Sequence, residues 1–287
     1  MQHVGEAPLR AWVEYFRDLG VHDFYRRGEP RALAASVADA GFATTIAAVE
    51  SSGPFADHAP FTHPVQETIS VPPDRLISFN ELAPLPAKAV LPDERKAALR
   101  AIQDEIGDCT RCPLAYAGRR KVVFGDGSHT ARLMFVGEGP GADEDAQGLP
   151  FVGKAGQLLN NMIGAMGLQR EEVYIANIVK CRPPGNRVPE PAEANTCSQF
   201  LLRQIDVVRP EAIVALGATA ATYLLGVRQS LSSLRGRWHG CRGAKLAVTY
   251  HPAFLLRDPR QKAEAWKDLQ MVMRELGLTP PAPKKNP

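Results

Sequence analysis

The chain lacks the marks of an exported or membrane-spanning protein. It opens Met-Gln-His-Val-Gly-Glu, without a basic stretch and apolar core of the kind a secretory signal needs. No run of 18 apolar residues occurs in its 287, which excludes an ordinary transmembrane helix. Cysteine is scarce: five in all, an odd number that does not suit a disulfide framework and points to a reducing cytoplasm. Charge looks balanced at +3 overall, but residues 1–90 hold 7 Lys/Arg against 11 Asp/Glu, so the remainder carries +7. A basic C-terminal part of that kind suits a polyanionic partner.

The few cysteines are not scattered. Cys109 and Cys112 form a C-x2-C pair, Cys181 follows after 68 residues, and Cys197 after another 15. Two intervening residues let both thiolates face one metal centre, and folding must bring in the distant pair. Four thiolates suit a tetrahedral zinc or an iron–sulfur cluster equally well at this level. Cys241 stands apart and reads as a plain thiol.

Punctuation divides the chain. Leu9, Trp12, Val13, Phe16 and Leu19 recur at helical spacing, and the apolar run Ala32 to Val49 follows, so residues 1–50 are expected to be a small helical extension. Eight prolines between Ser51 and Pro92 imply a flexible or extended linker over 51–91, with room for a short docking strand at Leu76–Phe79. From 92 to 279 the pattern alternates. Strands are expected at 132–136, 173–178, 211–216 and 245–250, and helices at 94–106, 156–166, 191–208, 218–225 and 262–276, with 280–287 left as a tail. Strands alternating with helices predict a three-layer α/β/α domain around a four-stranded, mostly parallel sheet. Ligands bind such sheets at the carboxyl ends of their strands. The loops there are Gly137–Gly141, Asn177–Arg187 and His251–Arg257.

Each loop offers chemistry. Gly137-Glu-Gly-Pro-Gly lets a ligand approach the main chain, while its acidic continuation to Asp145 and the lack of Gly-Lys-Ser/Thr argue against a phosphate loop. Phe151, set between Pro150 and Gly153, could offer a flat face to a base. Asn177, Asn186 and His251 are polar groups on or just beyond separate strand ends.

Four ordered blocks carry a resemblance: Gly137-Glu-Gly-Pro-Gly141, Leu149-Pro-Phe-Val-Gly-Lys-Ala-Gly-Gln157, Asn177-Ile-Val-Lys-Cys-Arg-Pro-Pro-Gly-Asn-Arg187 and His251-Pro-Ala-Phe-Leu-Leu-Arg257. With the cysteine spacing they resemble the iron–sulfur uracil-DNA glycosylases called family 4, over about Pro92 to Leu278. The resemblance implies a hydrolase of base excision repair that removes uracil from DNA and leaves an abasic site. It makes Cys109, Cys112, Cys181 and Cys197 ligands of a structural [4Fe–4S] cluster, with zinc as the alternative. It makes Phe151 the stacking partner of a flipped uracil, Asn177 the reader of its Watson–Crick edge, and His251 the donor to the departing base, with Gly139 and Asn186 also in the uracil pocket. Gly139 stands where another branch of the superfamily has a water-positioning aspartate. That task therefore falls to Glu138 first and Glu144 second. Leu255, Leu256 and Arg257 would supply a wedge and a phosphate contact. The implied partner is uracil-containing DNA and no membrane. The chain is expected to act as a monomer, with residues 1–50 free to bind a protein. A branch that bonds covalently to DNA carries a histidine in the loop after the Asn177 strand, which Arg182–Arg187 lacks. The competing reading is a non-catalytic iron–sulfur DNA-binding protein tied to replication or repair.

Overall fold

The computed structural model describes residues 76–280. The expected helical extension over 1–50 and the linker up to residue 75 lie outside the described residues, as does the tail from 281.

Strands β1 (Asp126–Gly127), β2 (Leu133–Gly137), β3 (Tyr174–Asn177), β4 (Ala212–Leu216), β5 (His239–Cys241) and β6 (Ala244–Thr249) form one sheet in the order β1-β3-β2-β4-β6-β5. The four inner strands are parallel, and they are the four expected. The sheet is six-stranded rather than four-stranded because β1 and β5 add antiparallel edges. At two and three residues, each with a glycine, those edges are too short for a period-2 pattern.

Every residue of β2, β3 and β4 is buried, as expected of strands covered on both faces. Alternate side chains divide between two cores. Met134, Val136, Tyr174, Ala176, Ile213 and Ala215 face one layer of helices: α2 (Arg95–Ile106), α5 (Pro191–Val208) and α6 (Ala218–Leu225). Leu133, Phe135, Ile175, Val214 and Ala247 face α4 (Lys154–Ala165) and α9 (Lys262–Leu276). The remaining helices are short: α1 (Phe79–Leu82), α3 (Ala142–Gln147), α7 (Leu231–Leu234) and α8 (Pro252–Arg257). Among the described residues no helix is long and apolar enough to cross a membrane.

The stretch from 76 departs from the expected linker and docking strand. Residues 79–82 form α1, and Phe79 is fully buried in the core that α5 shares. The buried Arg242 guanidinium donates to the carbonyls of Phe79, Ala83 and Pro84 while pairing bidentately with Asp206. Proline content alone hid this, because the carbonyls are satisfied by a side chain more than 150 residues away.

Candidate functional site

Register places the chemistry. Gly137 pairs with Asn177 across β2 and β3, and Leu216 with Thr249 across β4 and β6. The loops leaving these strands therefore open at one sheet edge. There they enclose a cleft of about 460 Å³, within the range of small-molecule sites. Glu138, Gly139, Glu144, Phe151, Asn177, Asn186, His251 and Arg257 all line it.

Asn177 ends β3 with its side chain 1 % exposed, and its Oδ1 has no hydrogen-bond partner. A buried amide oxygen left without a donor costs about 1–3 kcal/mol. Gly137 makes room for it. A Cβ there would lie 2.4 Å from Asn177 Oδ1 and 2.6 Å from Phe151 Cζ, so the bare glycine is the point on which both converge.

Phe151 has φ 51°, a left-handed backbone costly for an aromatic residue. Two features hold it. Arg170, which has no local sequence signal pointing here, donates to the carbonyls of Phe151 (3.1 Å) and Pro150 (2.5 Å). Gly156 packs so closely that a Cβ would sit 1.9 Å from the Phe151 carbonyl oxygen. Strain of this kind, clamped from outside, aims the ring into the cleft.

His251 is the N-cap of α8, and Pro252 follows at the first helical position, where a missing N–H costs nothing. Its Nδ1 accepts from the Ala253 amide at 3.1 Å, so in the neutral ring the proton sits on Nε2. Burial, with Arg257 nearby, pulls its pKa down to about 4, which keeps the ring neutral at physiological pH. The ring centroid is 5.6 Å from that of Phe151, tilted by 33°.

The two carboxylates separate into different roles. Burial raises the Glu138 pKa above the usual carboxylate range, and a hydrogen bond from Thr219 at the start of α6 opposes the shift. Glu144 spends its oxygens on the main chain. Oε2 accepts from the Gly141 amide (3.0 Å), and Oε1 from the amides of Val152 (2.8 Å) and Gly153 (3.0 Å). It ties the glycine loop to the Phe151 loop. Asn186 likewise has its Oδ1 engaged, accepting from Arg182 Nε at 2.8 Å.

The expected wedge is half corrected. Leu255 is 1 % exposed and faces α4 and α9 beside Met162, Trp266 and Leu269, so it cannot enter DNA. Leu256, 43 % exposed, points outward. In a six-residue helix only one of two adjacent leucines can lie on the packed face.

Residues 124–270 match the family model of the uracil DNA glycosylase superfamily. The type-4 uracil-DNA glycosylase of Thermotoga maritima is 46% identical over 168 residues, covering 57% of this chain and 86% of that protein. That of Archaeoglobus fulgidus is 39% identical over 194 residues, covering 64% and 96%. This chain belongs to the type-4 uracil-DNA glycosylases. A type-5 uracil-DNA glycosylase of Pyrobaculum aerophilum is more distant, 30% identical over 180 residues, 51% of this chain and 78% of that one. All the cleft residues of this glycosylase fall inside the matched segment, and its first 90 residues fall outside it.

The four spaced cysteines of the glycosylase lie near one another, with Cys197 on α5 and Cys181 in the loop after β3. Cys181 and Cys197 are buried, Cys109 and Cys112 are half-buried, and all pack on the same core. They sense one another. Cys109 helps to raise the Cys112 thiol, Cys112 and Cys109 that of Cys181, and Cys181 and Cys112 that of Cys197, burial being the main cause each time. Cys197 is pushed up to about 12. Donors already point at the sulfurs: Arg119 Nη1 lies 3.1 Å from Cys181 Sγ, the Lys180 amide 3.2 Å from Cys197 Sγ, and Arg111 Nη1 3.5 Å from Cys109 Sγ. Such donors stabilise thiolates, and a group that ionises the thiols fits them. Among the described residues, no three His, Cys, Asp or Glu side chains close around a single-ion position. Cys241 stands elsewhere, in β5 beside Arg242 and Asp206.

Proposed function

We propose that this glycosylase hydrolyses the N-glycosidic bond of uracil in DNA, a DNA-repair step that leaves an abasic site, and that Asn177 reads the base. The observation that carries this is the unpartnered Oδ1 of Asn177 at the base of the cleft. Uracil N3–H supplies the missing donor, and the Asn177 amide protons can donate to O4. Cytosine reverses both positions, setting an N3 lone pair against Oδ1 and leaving the penalty in place.

The chemistry follows from the neighbours. The flipped base stacks on Phe151, and because the His251 ring already contacts Phe151, the histidine meets the base at its edge. Water bonds to C1′ as the C1′–N1 bond breaks, and the electron pair leaves with the base. The His251 Nε2–H donates to O2, where the anionic charge grows. A neutral imidazole is the right donor, since it stays in one protonation state across the working range. Glu138 orients the water and takes up its proton, and its raised pKa makes it a better base than an exposed glutamate. Glu144 positions the loops and does not activate water, because its oxygens are already committed to amides. Leu256 fills the vacated stack, and Arg257 binds phosphate.

Cys109, Cys112, Cys181 and Cys197 hold a [4Fe–4S] cluster, which supplies a structural clip and no redox step, since the hydrolysis moves no electrons. Thiol ligands suit a reducing cytoplasm, where the chain acts as a monomer, with residues 1–50 available to a protein partner. The test is incubation with a uracil-containing oligonucleotide, then alkaline cleavage of abasic sites. Strand cleavage that requires uracil supports the assignment. Binding without cleavage would leave a non-catalytic DNA-binding protein.

A further inference from the structure

A lysine lies fully buried behind the base-reading residue. Lys180 is 1 % exposed and among the largest fully buried side chains, with no carboxylate bonded to its ammonium among the described residues. Its Nζ instead donates to two neutral oxygens, the Asn177 carbonyl at 3.0 Å and Gln204 Oε1 at 2.6 Å. Gln204, itself completely buried on α5, donates from Nε2 to the Phe124 carbonyl and to the Tyr174 hydroxyl, both at 3.0 Å. The main chain of Lys180 is held at both ends as well. Its amide donates to Cys197 Sγ and its carbonyl accepts from the Val123 amide at 2.7 Å.

Burying a cation costs several kcal/mol unless a partner compensates it; among the described residues the only charge partner is the Cys197 sulfur, and an apolar side chain of the same length would fill the space without that penalty. Violations of this kind concentrate at functional positions. The one cleft residue the ammonium touches is Asn177, through its carbonyl. Beyond Asn177 the chain is tied to the opposite loop, the Ile178 amide to the Gly137 carbonyl and the Val179 amide to the Glu138 carbonyl. The lysine side chain folds back across this two-residue step and closes it.

We propose that Lys180 is a positioning residue for base recognition. Its ammonium, anchored on Gln204, fixes the peptide plane after Asn177 and so aims the Asn177 amide at the edge of the base. The inference rests on Asn177 reading uracil. It also makes α5, which carries both Gln204 and Cys197, the element that connects the cysteine site to the uracil pocket.

The test is a double-mutant cycle in the full chain, read as single-turnover excision at saturating enzyme. Lys180→Met keeps the length and removes the donor. Acting through one charge-assisted hydrogen bond, it should slow excision by about tenfold. In an Asn177→Ala background the same change should cost less than about twofold, because the group it aims is gone. The same tenfold loss in both backgrounds, or no loss in either, overturns the proposal. An Asn177→Ala protein as fast as the parent overturns the reading of Asn177 instead. A merely structural lysine would lower the melting temperature and the visible iron–sulfur absorbance without this dependence on Asn177. Should Lys180→Met fail to fold, Gln204→Met removes the outer anchor, together with the donations to Phe124 and Tyr174, and should show the same dependence on Asn177.

Discussion

Replacing His251 separates two jobs that the structure gives one ring. Nδ1 caps α8 by accepting from the Ala253 amide, and Nε2–H is left for the leaving base. His251→Ala loses both. Deleting a donor to a developing anion raises the barrier by about 2.7–4 kcal/mol, which lowers the single-turnover rate about 100- to 1,000-fold. Loss of the cap costs about 0.5–2 kcal/mol of stability. His251→Asn retains a capping oxygen, but its amide N–H falls short of the place that Nε2–H occupies, so it should unfold close to the parent and still excise slowly. The acid side gives a second reading. The folded ring has a pKa of about 4 against 6.5 in the unfolded chain, so between these values only the unfolded state takes up the proton. This contribution to stability is intact above pH 6.5 and is lost as pH falls towards 4, by about 3 kcal/mol in all. His251→Ala should therefore be less stable than the parent near pH 7 and show a shallower loss in acid. Rates come from single-turnover cleavage at saturating enzyme, and stabilities from denaturant melts at several pH values. Parental excision by His251→Ala would refute the leaving-group role, and parallel pH profiles would refute a buried neutral ring.

The other expectations concern the pocket, the DNA contact and the cluster. Asn177→Asp should excise uracil more slowly and begin to release cytosine, since a protonated carboxyl can meet the cytosine edge; oligonucleotides bearing each base decide it. Phe151→Ala should lose about 1–3 kcal/mol of stacking, measured as weaker binding of uracil-containing DNA. Arg257→Ala should weaken DNA binding and reduce its salt slope by about 1, with the saturated rate nearer the parent. Cys109→Ala should lose iron and unfold more readily, because the site closes a long chain loop, whereas Cys241→Ala should keep its full iron content by metal analysis.

The sequence by itself determined the inner sheet, the order of its loops and eight of the residues that line the cleft, while Leu255 and Leu256 are not among its lining. That was legible because buried parallel strands are continuous apolar runs ended by glycine or a polar residue, as Leu133–Gly137 and Ala212–Gly217 show. Ligands at such sheets collect where those runs end. The tertiary structure decided everything that depends on which oxygen or nitrogen is already engaged. Glu138 and Glu144 are equally acidic on paper, yet only Glu144 is spent on three amides. Leu255 and Leu256 are chemically the same, and one is buried while the other faces outward. Arg170, Lys180 and Gln204 left no local signal, because their partners lie in other segments or in the folded-back main chain. A pattern of side chains records where the chain turns and what it buries. Which polar groups remain free for a substrate depends on long-range hydrogen bonds, and those exist only once the layers have packed.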